Sequence, residues 1–125
     1  MSTSHALLMD IPRTQTWRAL CTREDLVLNS GVVALAGTTQ VALFEVATLG
    51  GAPKLFAVDN RDPATGVNVI GRGLIGSLAG DLVIASPLYK QHYRLEDGTC
   101  LEDPSLSLRT WPVRMVGDVV EIDLG

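Results

Sequence analysis

Gly71-Arg72-Gly73-Leu74-Ile75-Gly76 repeats the G-x-G-x-x-G spacing that lets a backbone approach a pyrophosphate. That chemistry needs a helix opening at the loop, with its N-terminal amides facing the phosphates. Here Ser77-Leu78-Ala79-Gly80-Asp81 follows, and Gly80 leaves no room for a helix of useful length. The acidic residue that would hold a ribose near the end of a following strand is also missing. Glycines in a bent β segment explain the match instead. His92 is the one plausible ordered imidazole, because His5 falls in the N-terminal tail. It lies in Gln91-His92-Tyr93-Arg94, an alternating strand in which a structural or surface histidine is expected. Glu96-Asp97 occupies a turn and reads as solvated, not as a general acid and base. Cys21 and Cys100 are too few for a disulfide framework or a four-thiolate site, and neither has a zinc-ligand neighbour. They read as two reduced, largely buried thiols. No catalytic, cofactor-binding or metal site assembles from these residues.

The elements that would position any chemistry are short strands. Trp17-Arg18-Ala19-Leu20 starts one, and Arg23-Glu24-Asp25-Leu26 makes a brief turn or a single helical turn. Gly31 to Ala36 and Gln40 to Thr48 flank Gly37-Thr38-Thr39, a hairpin signal. Leu55-Phe56-Ala57-Val58, Leu82-Val83-Ile84-Ala85 and Gln91 to Leu95 supply three more, the last followed by the tight Asp97-Gly98 turn. Trp111 to Val116 and Val119 to Ile122 flank Gly117-Asp118, where a leading glycine suits a two-residue hairpin. Phe44, Phe56, Tyr93 and the two tryptophans read as core or sheet-face packing. Nine or ten such strands in 125 residues predict a small all-β sandwich or barrel of antiparallel strands, as a single domain over residues 15–125 after a flexible tail over residues 1–14.

Composition narrows the class. Hydrophobic residues make up 46% of the chain, enough for a core without metals or disulfides, and disorder is excluded. No stretch approaches the ~20 apolar residues of a membrane span. Ten Lys+Arg against fourteen Asp+Glu, without a basic cluster, disfavour nucleic acid and anionic membrane as partners. The short apolar stretch Ala6-Leu7-Leu8-Met9 has no basic leader and ends in Asp10, so it does not read as a signal peptide, and a cytoplasmic location is expected.

Two loops remain informative. Asn60-Arg61-Asp62-Pro63-Ala64-Thr65-Gly66 and Ala85-Ser86-Pro87-Leu88-Tyr89-Lys90-Gln91 each follow an apolar strand and carry a proline directly after a polar residue. Their layout resembles a Rieske-type domain, in which Cys-Pro-His and Cys-Pro-x-His loops hold a two-iron two-sulfur cluster through two thiolates and two imidazoles. Matching on the prolines puts Asp62, Ala64, Ser86 and Tyr89 at the four ligand positions. All four ligands are replaced, so no cluster, and no metal or cofactor, is expected in this chain. Asp62 and Tyr89 alone would make a weak mononuclear site, and a solvated or hydrogen-bonded pair is the expectation.

A narrower resemblance covers nearly the whole chain, from Trp17 to Ile122. Val58-Asp59-Asn60-Arg61-Asp62-Pro63, Gly71-Arg72-Gly73-Leu74-Ile75-Gly76, Ala85 to Gln91, Asp97 to Pro104 and Trp111-Pro112-Val113-Arg114 look like the small subunit of the assimilatory NAD(P)H-dependent nitrite reductase. The resemblance implies a Rieske-like β fold without a cluster, accessory to a large catalytic subunit. In that family the large subunit carries FAD, sirohaem and an iron-sulfur cluster and reduces nitrite to ammonia in nitrate assimilation. The small chain would then have no activity alone. Asn60, Arg61, Asp62, Tyr89, Lys90 and Gln91 combine polar anchors with one aromatic, a mix suited to an interface with that subunit. Arg61, Asp62 or Lys90 can equally pair across the loops and only stabilise the tip. The alternative is a stand-alone cluster-free Rieske-like module that scaffolds or regulates another redox enzyme.

Overall fold

The run Val41-Ala42-Leu43-Phe44 has no polar residue to turn toward water, and its alternate side chains enter two different cores. A computed structural model describes residues 17–125, so the tail expected over residues 1–14, with His5, lies outside the described residues. The run sits in β3 (Thr39–Val46), the second strand of the middle sheet, with β2 (Gly31–Ala36), β4 (Lys54–Asp59) and β8 (Thr110–Trp111) in the order β2-β3-β4-β8. Val41 and Leu43 face one side, where Ala57, Trp111, Val120 and Ile122 complete a core. Ala42 and Phe44 face the other, against Val58, Ile70, Ile84, Tyr93 and Leu95.

Two three-stranded antiparallel sheets close these cores. One orders β1 (Trp17–Thr22), β10 (Val119–Asp123) and β9 (Val113–Val116) as β1-β10-β9. The other orders β5 (Leu74–Leu78), β6 (Asp81–Ala85) and β7 (His92–Arg94) as β5-β6-β7. The fold is therefore the all-β arrangement of short antiparallel strands that the sequence predicts. Among the described residues the only helical pieces are single turns at Arg23–Asp25 and Ile70–Arg72, and no helix is long and apolar enough to cross a membrane.

The hairpin expectations hold where glycine leads the turn. Ala36 pairs with Thr39 and Val116 with Val119, so Gly37-Thr38 and Gly117-Asp118 are two-residue turns, with φ of 64° and 60° at the glycines. Where the sequence predicts only a bent β segment, the structure has the strand β5. Its approach explains the glycine spacing at Gly71 and Gly73 by contact with protein, not phosphate. A Cβ at Gly71 would stand 2.6 Å from Val33 Cγ2, and one at Gly73 would overlap the Ala85 carbonyl oxygen.

Gly98 has the most demanding backbone. Its φ is 80°, and a Cβ there would overlap the Leu108 carbonyl of the loop that covers the Tyr93 core. Gly98→Ala is expected to destabilise the fold by roughly 2 kcal/mol or more, through both strain and overlap. Gly80→Ala, at φ 84° but in open space, should cost about 1 kcal/mol. Urea unfolding of the two variants checks the difference.

Candidate functional site: two loops tied by a buried carboxylate

The two loops are built alike. In the first, the Asp62 carbonyl accepts from the Gly66 N–H at 2.7 Å, and Asp62 N–H donates to the Val67 carbonyl at 2.9 Å. In the second, the Ser86 carbonyl accepts from the Lys90 N–H at 3.0 Å, and Ser86 N–H donates to the Gln91 carbonyl at 2.9 Å. Each polar side chain then caps its own turn: Ala64 N–H donates to Asp62 Oδ1 at 2.9 Å, and Leu88 N–H reaches Ser86 Oγ at 3.4 Å. Each loop ends on a left-handed residue, Gly66 at φ 76° and Lys90 at φ 60°. Lysine holds that conformation at a cost of about 1 kcal/mol, which the surrounding hydrogen bonds sustain.

A third set of bonds joins the loops. Ser86 Oγ donates to Asp62 Oδ2 at 2.5 Å, and the Tyr93 hydroxyl donates to Asp62 Oδ1 at 3.1 Å. Asp62 and Tyr93 are fully buried and Ser86 nearly so. Burial of the ring, then the bond to Asp62 and its charge, push the Tyr93 phenol well above the usual tyrosine range. Beneath the first loop, Asn60 Oδ1 accepts from Gly71 N–H at 2.7 Å and its Nδ2 donates to Gln40 Oε1 at 2.8 Å.

The six residues expected at an interface therefore divide. Arg61, Tyr89 and Lys90 are exposed, and Gln91 is half-buried. Asn60 and Asp62 are buried, because their amide and carboxylate are consumed in holding the loops, so they shape the tip from beneath and present nothing to a partner. Asp62 does not pair with Arg61 or Lys90, and neither cation makes an ion pair among the described residues; nor does Asp62 bond to Tyr89, which is 70% exposed. The aromatic partner of Asp62 is Tyr93, which sequence reading assigned to packing alone. A buried tyrosine needs a hydroxyl partner, and Asp62 was the signal available. His92 is engaged by Glu102: its Nδ1 lies 2.6 Å from Glu102 Oε2, and its backbone N–H donates to Glu102 Oε1 at 2.7 Å. Desolvation raises the Glu102 carboxyl, but these two bonds and the histidine's charge outweigh it and hold the group below the usual range. Cys21 and Cys100 are free thiols, half-buried and buried.

A Rieske centre requires thiolates and imidazoles facing each other across the two loops. At the matched positions Asp62 and Ser86 meet directly, Ala64 has no donor atom, and Tyr89 turns to solvent. These residues do not fit a two-iron two-sulfur cluster.

Asp62→Ala leaves two buried hydroxyls without an acceptor and is expected to cost about 2–4 kcal/mol, against about 1 kcal/mol for Ser86→Ala. The double variant should be less destabilised than the sum, since the two residues share one bond. Above pH ~10 the unfolded chain releases the tyrosine proton that the folded chain keeps, so stability falls as pH rises. Denaturation at pH 8 and pH 11 should give Tyr93→Phe the smaller loss.

Comparison with known proteins places this geometry. Residues 16–123 match the family model of the Rieske-like [2Fe-2S] domain. The nitrite reductase (NADH) small subunit of Escherichia coli (strain K12) is 39% identical over 106 residues, which cover 85% of this chain and 95% of that protein. The nitrite reductase [NAD(P)H] large subunit of Klebsiella oxytoca is 34% identical over 102 residues, 82% of this chain but 10% of that longer protein. The solved structure of the E. coli protein NirD superposes with a TM-score of 0.75 at 39% identity, covering 85% of this chain and 94% of that one. With its Rieske-like architecture and this level of identity over most of its length, the chain belongs to the family of nitrite reductase small subunits.

Proposed function

We propose that the chain supports NAD(P)H-dependent reduction of nitrite to ammonia as a non-catalytic subunit, docked on a large subunit that holds FAD, sirohaem and an iron-sulfur cluster. The observation that carries the non-catalytic part is the Asp62–Ser86–Tyr93 network, which fills with hydrogen bonds the place where a cluster would join the loops. The partnership is supported by the Klebsiella oxytoca protein, in which a domain of this kind lies within a chain named as the large subunit. The contribution of this chain's own residues is positional. A tip fixed from beneath by Asn60, Asp62 and Ser86 presents Arg61, Tyr89 and Lys90, and a preorganised face loses little conformational entropy on docking. Free Cys21 and Cys100 suit the reducing cytoplasm, where the reading places the complex.

The large subunit of the same source, assayed for NAD(P)H-dependent nitrite reduction with and without this chain, is expected to gain activity when the chain is present. The purified chain alone should be inactive and contain no stoichiometric iron or acid-labile sulfide. Iron with sulfide at two per chain refutes the cluster-free reading. No stimulation and no co-purification with the large subunit would favour the stand-alone module.

A further inference from the structure

Besides the hollow lined by Ala64, Val67 and Tyr89, another of about 480 Å³ lies between the start of β5 and the 85–92 segment. Its wall is Leu74, Ala85 and Pro87, and Arg72, Lys90 and His92 stand around it. Leu74 is 77% exposed, an unusual position for leucine on a soluble surface with nothing against it. It opens β5, whose residues Leu-Ile-Gly-Ser-Leu pair only with β6 and carry no charge or proline to guard the free edge. The cations are also unmatched. Arg72 and Lys90 make no ion pair among the described residues, while the Glu102 carboxylate is held by His92 and Asp62 is buried. Arg61 is likewise without an ion pair among the described residues, its guanidinium lying beside Gly66. In a chain of formal net charge -4, this tip is locally positive.

We propose that this hollow, of whose lining only Lys90 belongs to the interface expected from sequence, receives an apolar side chain flanked by carboxylates from the large subunit. The inference rests on the accessory-subunit reading and names the chemistry of the contact. The apolar wall excludes water around the inserted side chain, and Arg72 and Lys90 on the rim meet the flanking carboxylates. Such an arrangement places an apolar centre inside a charged rim, with the rim setting orientation and encounter rate.

The test uses the full chain and the whole large subunit, with affinity measured at low and high salt. Arg72→Glu and Leu74→Glu alter exposed side chains, so circular dichroism and thermal melting should match the wild type. Lys90→Gly removes the charge while keeping the left-handed backbone. Each of the three is expected to weaken binding, Leu74→Glu and Arg72→Glu by at least about tenfold, and wild-type affinity should fall with added salt. Nitrite reduction should recover at saturating variant. Wild-type stimulation of the large subunit with unchanged affinity of all three variants overturns this inference and leaves the accessory reading intact. Absence of any wild-type stimulation or binding overturns both. A salt-insensitive dimer of the isolated chain that Leu74→Glu dissociates overturns it in favour of a second copy in the hollow.

Discussion

A carboxylate removed from water must find donors, and Asp62 finds three: the Ser86 hydroxyl, the Tyr93 hydroxyl and the Ala64 amide. Everything at the tip follows from that requirement. The loop after β4 and the loop after β6 follow strands of different sheets. One buried carboxylate ties them, bonded to Ser86 in the second loop and to Ala64 in the first. The dependence is asymmetric: loss of Asp62 strands both buried hydroxyls, whereas loss of one hydroxyl leaves Asp62 two donors.

The same economy is visible one layer down. Asn60 does for the turn at Gly71 what Asp62 does for Ser86, and its other end is anchored on Gln40 at the start of β3. The tip is thus connected by side-chain hydrogen bonds to the strand that lies between both cores. Gly71 can approach closely enough to accept this role only because it has no Cβ to strike Val33. The first two glycines of the spacing that resembles a nucleotide loop are therefore packing features, Gly71 against β2 and β3 and Gly73 against β6.

The strands were legible because their signals are local: β-branched runs bounded by glycine, and the positive-φ turns at Gly37 and Gly117. β5 escaped clear assignment because a strand of Leu-Ile-Gly-Ser-Leu, exposed along most of its length, has no alternating face to announce it. The two loops were legible as a pair through their prolines, one after Asp62 and one after Ser86. What could not be read was which polar residues turn inward. Asn60 and Asp62 look like surface anchors in sequence, since asparagine and aspartate usually are, and only the contacts with Gly71, Ser86 and Tyr93, 11 to 31 residues away, reverse that. Leu74 fails in the opposite sense: an isolated leucine gives no sign that it will stand exposed beside Arg72 and Lys90.

Burying the polar residues has a consequence for what is left outside. With Asp62 taken into the interior, the exposed charges of the two loops are Arg61 and Lys90, and the adjoining turn adds Arg72, so the tip acquires a sign opposite to that of the chain as a whole. The interior bonds of Asp62 that tie the two loops are thus also what leaves their outer face cationic. Its rigidity and its charge have one origin, and both favour a partner that offers carboxylates around an apolar contact.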